Sequence, residues 1–371
     1  MTARPLSLLG RLGPLLGLVA VWLLFAGLVG GDFTRWDNQR LMLAQTAVVG
    51  TAAIGATLII IVGGIDLSVG ATIALGTVVV ALVLREAESP LIAVLGGVGA
   101  GLLCGGAIGA MVIGHVGRVA AIAAAIALTI WLQPRYGPIA AVAAGIGALA
   151  AVGVAGEFLL RRVALPPFIV TLGMWGALRG AAKGLADNQP VYPEKPTWIN
   201  ELMNLGGEGA AAWLPPGAWI MLGLALLAGG LLRYTRLGRH IYAIGSNELT
   251  ARLCGVAVER TKLMVYTLGV GCAGLAACLQ FSYLSMGDPT TADGYELKII
   301  AAVVIGGASL SGGEGGVLGT LVGALLMTVV DNGCTKLGLD NWVQEVVTGA
   351  IIVAAVVLDR VRQRRSDVTG G

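Results

Sequence analysis

Residues 46–84 form an apolar run broken in its middle by Gly63-Gly64-Ile65-Asp66-Leu67-Ser68-Val69-Gly70. Without that break the run reads as two bilayer-spanning helices in succession. The break puts glycines, a carboxylate and a hydroxyl at membrane depth. Irregular backbone and an ionisable group are tolerated there only where protein buries them or where they line a wet cavity. The pattern predicts a pathway through the protein and argues against a lipid-facing anchor. Asp66 has two readings. It orients a ligand hydroxyl beside that pathway or holds the broken helix in place; or it caps a helix starting near Ser68, its carboxylate accepting backbone N–H groups freed by the glycines.

Working outward, the whole chain of 371 residues is 56% hydrophobic and 12% charged, against roughly 25% charged for a soluble domain. That is a polytopic membrane protein. Its 58 glycines suit the class, because small residues let transmembrane helices approach closely. At about 20 residues per crossing, and fewer for broken segments, about twelve candidate segments emerge. They are 12–30, 44–62, 71–84, 91–113, 119–133, 138–160, 168–186, 218–232, 263–284, 297–308, 316–331 and 343–358, several short enough to be half-helices. Arg4 and Arg11 precede the first without a small-residue cleavage site, so it reads as a retained helix.

Lysines and arginines fix the expected orientation, since basic loops resist translocation. With the N-terminus cytoplasmic, 15 of the 24 fall inside, Arg161 and Arg162 among them, and 6 fall outside; Arg179, Lys183 and Lys298 lie in or at the ends of spans. Both termini are expected to be cytoplasmic. The net charge of +3 follows from this topology and is no signal for nucleic acid.

Three polar loops stand out. Residues 187–217 carry Asp187, Glu194, Glu201 and Glu208 with Trp198 and Trp213, and residues 285–296 carry Asp288, Asp293 and Glu296 without a base. Both are expected outside, as surfaces for an external partner or as plain solvated loops. The third, 233–262, is expected inside. There Ser246 is placed to cap a short helix, Glu248 favours its first turn and Gly255 stops it. Leu249 and Leu253 share one face, and Glu248 and Arg252 pair on another. Such a helix suits docking into a partner's groove, or else lies on the bilayer surface.

At this point the chain resembles the permease subunits of bacterial ATP-binding-cassette importers for monosaccharides, the ribose, xylose, arabinose and galactose group. The blocks that carry it are residues 64–70; Leu165-Pro166-Pro167-Phe168 through Met174, with Leu178-Arg179-Gly180; Gly245-Ser246-Asn247-Glu248 with Ala251-Arg252-Leu253 and Gly255; and residues 300–313 on to Gly319-Thr320. The resemblance implies an all-α transmembrane bundle of the type II importer permease kind, one domain over 1–371 with about ten core helices. Relative to that family, residues 114–163 look like an inserted helix pair. It implies a transport subunit with no ATPase of its own, working with a second permease copy, a cytoplasmic ATPase that holds ATP and Mg, and a periplasmic sugar-binding protein, in a bacterial inner membrane. Residues 233–262 become its coupling loop, with Ser246, Asn247, Glu248, Leu249, Arg252, Leu253 and Gly255 seated in the ATPase. Asp66, Ser68, Thr171, Asn188 and Gln189 are the candidates for the pathway or the broken helix. Alternatives are amino-acid, nucleoside or furanone cargo on the same machinery, and an ion-coupled secondary transporter.

Other motifs are rejected. Leu310-Ser311-Gly312-Gly313-Glu314 imitates the signature loop of an ATPase, but no Gly-x-x-x-x-Gly-Lys-Ser/Thr loop accompanies it. It reads as a tight turn between half-helices. Gly145-x-Gly147-x-x-Ala150 lies inside an apolar segment with no preceding strand, so it is no dinucleotide fingerprint. His115, His240 and five cysteines lack metal-ligand spacing.

Overall fold

The computed structural model describes residues 5–159, 165–206 and 213–369. Arg161, Arg162 and Glu208 lie outside them. The described chain is helical: α1 (Pro5–Val29), α2 (Gly31–Thr34), α3 (Trp36–Ile61), α4 (Val69–Ala87), α5 (Pro90–Val112), α6 (Val116–Leu159), α7 (Pro167–Leu185), α8 (Pro216–Tyr234), α9 (Arg236–Ser246), α10 (Glu248–Leu253), α11 (Val258–Leu284), α12 (Tyr295–Ile305), α13 (Val317–Lys336) and α14 (Asn341–Thr369), with a 3-10 turn at Asn200–Met203. Among the described residues, α3, α4, α5, α8, α11 and α13 are long and apolar enough to cross a bilayer.

The centre of the bundle is α3, apolar on every side and buried along nearly its whole apolar length, as a helix without a polar face must be. It packs against α11, α13 and α8, while α11 also lies along α5 and α4. Glycine makes the α5–α11 seam possible. A Cβ on Gly101 would stand 2.7 Å from Gly274 Cα, well inside contact distance, so the two backbones meet with nothing between them.

Polar residues hid two helix ends from the pattern. Helix α3 starts at Trp36, where the apolar run suggests 44, because Asn38 is satisfied inside the bundle. Its Nδ2 donates to Asn332 Oδ1 (2.9 Å), and Asn332 Nδ2 donates back to Asn38 Oδ1 (3.1 Å). Helix α13 likewise runs past residue 331 to Lys336, with Asp331 paired to Lys298 of α12 at 2.8 Å.

The expected spans 119–133 and 138–160 both fall almost wholly within α6, which is 44 residues long. A straight helix of that length would be roughly 66 Å long. Yet a Cβ on Gly117 would lie 2.7 Å from the carbonyl carbon of Gly156, and one on Gly153 would lie 3.8 Å from Ala121 Cβ. The segment therefore doubles back on itself, and α6 is a helical hairpin whose two ends lie side by side.

At one end of the bundle the segments 187–206 and 285–294 fold into an ordered cap. Val191 and Gly287 exchange backbone hydrogen bonds (2.7 and 2.8 Å), Ile199 is buried, and Ser282 Oγ accepts from the Met203 N–H (3.0 Å). At the other end, α9 and α10 sit against the turn between α12 and α13. Gly313 N–H donates to the carbonyl of Ile61 (2.8 Å), and Tyr242 Oη donates to that of Gly315 (2.8 Å).

Candidate functional site

Two glycines end α3. The N–H of Gly63, at φ +87°, donates to Ile60 (2.9 Å) and that of Gly64 to Ile59 (2.8 Å), the paired reverse bonds of a Schellman stop. Residues 65–67 then run without regular structure to Ser68, the cap residue of α4. Asp66, only 4% exposed, bridges this passage. Its Oδ1 accepts both the Ser68 N–H (2.8 Å) and the Ser68 Oγ–H (2.6 Å), so the carboxylate closes an Asx turn just ahead of the helix. Its other oxygen is buried without a hydrogen-bond partner, as is the hydroxyl of Tyr266, which lies over Gly64. Thr171 on α7 reaches the same place, with Oγ1 within 3.2 Å of the Ile65 carbonyl and 3.0 Å of its own helix's Pro167 carbonyl.

Asp66, Ser68 and Thr171 are thus brought together. Asn188 and Gln189 are not: they are exposed beyond the far end of α7, Asn188 in a left-handed turn at φ +57°.

The opposite side of the break was not foreseen. Arg179 on α7 is buried and donates to the carbonyls of Thr291 (2.6 Å) and Pro289 (3.2 Å), with Asp293 3.7 Å away. The acidic 285–296 segment, which has no base of its own, is therefore held by a base from another helix. This segment brings Glu296 against Gly70, one residue into α4. Arg179 gave one signal in sequence, a cation inside an apolar span, and such residues mark function or buried pairing. Its partners lie 110 and 112 residues away, and no local pattern reports them.

The 233–262 segment contains two helices where the sequence suggested one. Thr235 caps α9 by accepting the Gly238 N–H (3.1 Å). Ser246 is the last residue of α9 and does not cap α10; Asn247 does, accepting the Thr250 N–H at 2.9 Å. The extended backbone of Asn247 (φ −160°, ψ 103°) aims its amide oxygen at that donor, as a cap requires. Gly255, at φ +83°, ends α10 with the same reverse bonds as at Gly63, its N–H donating to Arg252 and that of Val256 to Ala251 (both 3.0 Å).

Glu248 is clasped by Lys262 of α11 (2.7 Å) and Arg252 (3.5 Å), and Arg252 also meets Glu259 (3.6 Å). Partial burial disfavours the Glu248 carboxylate, but the two cations outweigh that and hold it below the usual carboxylate range. On the other face Leu249 and Leu253 are 69% and 81% exposed, a small apolar surface fixed to a membrane helix by the ion pairs behind it.

Residues 40–113 and 106–356 match the family model described as "Branched-chain amino acid transport system / permease component". The chain is 35% identical over 349 residues to the ribose import permease protein of Escherichia coli K12, covering 93% of each. It is 32% identical over 350 residues to the ribose import permease protein of Bacillus subtilis 168, covering 94% of this chain and 92% of that one. The fructose import permease protein of Rhizobium meliloti is 30% identical over 352 residues, covering 94% and 84%. No solved structure matches the chain.

Proposed function

Since the chain belongs to the family of branched-chain amino acid transport system permease components, we propose that it is the membrane permease of an ATP-driven importer and that its cargo is a monosaccharide. The observation that carries the cargo is the similarity, over more than nine-tenths of this chain, to import permeases for ribose and fructose. On this reading ATP and Mg are held by a separate cytoplasmic ATPase, a periplasmic binding protein delivers the sugar, and two copies of this chain form the permease.

The geometry supports a division of labour. Helix α10 presents Leu249 and Leu253 to the ATPase, and its clasp onto Lys262 transmits movement to α11, whose packing against α3, α4 and α5 reaches the broken stretch. The cap built from 187–206 and 285–294 faces the binding protein. Both termini then lie in the cytoplasm of a bacterial inner-membrane protein. A sugar offers hydroxyls and no charge, so tight binding along the route would slow its release; selectivity belongs mainly to the binding protein.

The test is ATP hydrolysis by this chain reconstituted in lipid with its genome-neighbour ATPase and binding protein, across pentoses, hexoses, amino acids and nucleosides. Stimulation by a pentose or hexose alone is expected. Stimulation by an amino acid or nucleoside would move the cargo, and uptake driven by an ion gradient without the ATPase would overturn the importer.

A further inference from the structure

Helix α1 packs along α13 but makes little contact with α3, although only the short α2 separates the two in sequence. Between α1 and α3, over α13, this leaves a gap of about 470 Å³ walled by Leu18 and Leu23, Met42 and Leu43, and Leu325 and Val329. Apart from two tryptophans, Gln39 is the one polar side chain among those that line it. Its amide is fully used: Oε1 accepts the Trp22 Nε1–H (3.1 Å) and Nε2 donates to the Phe33 carbonyl (2.6 Å). The wall therefore has no hydrogen bond to offer, and a polar occupant would lose its own on entering. What fills the gap is apolar.

Size and position narrow the choice. One turn of an α-helix with its side chains takes up roughly 400–600 Å³, so the gap has no room for a spanning helix from a second copy. It lies at the cap end of the bundle, where Trp36 meets Trp213 edge-on with ring centroids 6.2 Å apart, both rings more than half exposed. Exposed tryptophans of this kind sit at the membrane–water boundary. From Trp36 the gap follows α3 inward for two turns to Leu43, which is the direction an acyl chain takes. The charges at its mouth carry both signs: Asp32, Arg35 and Asp37 surround Trp36 in sequence and are all exposed, with Arg35 3.9 Å from Asp32. An anionic head group would meet two carboxylates for one guanidinium, whereas a phosphate joined to an ammonium matches both signs.

We infer that the gap between α1 and α3 is a lipid site, taking one acyl chain of a zwitterionic aminophospholipid whose phosphate meets Arg35 and whose ammonium meets the flanking carboxylates. The lipid completes the packing between two helices that the protein itself leaves apart. The test is native mass spectrometry of the intact chain released from membranes in mild detergent, which reads bound lipid and the number of permease copies together, with phosphatidylethanolamine and phosphatidylglycerol as the added probes. The variants are Val19→Trp, which puts a large ring into the gap from a half-exposed position on α1, Arg35→Glu at the mouth, and Leu28→Trp, equally exposed on α1 but outside the gap.

Parent should retain phosphatidylethanolamine in preference to phosphatidylglycerol. Val19→Trp should lower that retention about tenfold, by displacing methylenes from the gap, and Arg35→Glu about threefold, as an exposed charge contact does. Leu28→Trp should match parent. Absence of bound phospholipid from parent, or equal retention of the two probes, would overturn the site before any variant is made. Lipid kept by Val19→Trp, or lost equally by Leu28→Trp, would overturn it too. A Val19→Trp particle with fewer permease copies than parent would give the gap to a second copy in place of lipid.

Discussion

Asp66 uses one oxygen for the turn that starts α4 and leaves the other unmatched in the protein. The first contact makes closing the Asx turn ahead of α4 its structural role. Asp66→Asn keeps an acceptor for the Ser68 N–H, whereas Asp66→Ala removes it. Thermal unfolding in detergent should therefore show Asp66→Ala less stable by about 1 kcal/mol and Asp66→Asn close to parent. If Asp66→Asn alone abolishes uptake while folding normally, the charge matters to the pathway as well.

Glu248 is the second informative residue. Its carboxyl is held below the usual range by Lys262 and Arg252 against partial burial, so its contribution is present above the pKa of an unfolded glutamate. It is lost only as pH falls through the lower folded value. The clasp should be constant at neutral pH and loosen in acid below the ordinary glutamate range, followed by the pH dependence of thermal unfolding in Glu248→Gln against parent. Being partly exposed, the pair is worth only about 0.5 kcal/mol of stability; its larger effect is expected on coupling. Glu248→Arg should cut sugar-stimulated ATP hydrolysis while inserting normally, and full stimulation would refute the coupling role.

At the level of elements, glycine stops recur where function is expected: Gly63 ends α3 before the break and Gly255 ends α10 before α11. Gly255→Val forces a branched residue into a left-handed conformation, costing roughly 1–2 kcal/mol, and should lower yield of the ATPase-bound complex in co-purification. Gly101→Leu should be worse, because the α5–α11 seam has no room for it; overpacking there costs about 1–3 kcal/mol, read as lost monodispersity in detergent.

Elements defined by local chemistry were legible in the sequence. The broken stretch, the short helix with Leu249 and Leu253, and the half-length α12 are written in glycines, caps and apolar run lengths. What escaped depended on distant partners. Asn38 looks like an end to a span until Asn332 matches it, and the Arg179 latch joins residues more than a hundred positions apart. Helix α9 was missed for another reason: with Arg236, Arg239 and His240 in a short amphipathic stretch, it reads as a basic loop until it is seen lying against the bundle.

Across the whole molecule, the polar exceptions fall into a connected series. The 285–294 segment is pinned by Arg179, Glu296 abuts Gly70, and Asp66 and Thr171 meet at the break, which touches Gly313 and the end of α9. On the importer reading this series is the proposed pathway, from the cap to α9 and α10 beside the α3–α11 centre. Of this, sequence alone supplied the break and the short helix with Leu249 and Leu253.

The hairpin α6 touches the described bundle chiefly at the end of α5, and its ends are neighbours at Gly117 and Gly156. The two ends of the hairpin thus stand together as one doorway. Whatever is threaded out and back through that doorway leaves the handedness and sidedness of every later helix untouched. Replacing the hairpin by a reporter domain or a short linker is therefore expected to leave membrane insertion and yield of the later helices at the parent level, which expression and purification in detergent would check.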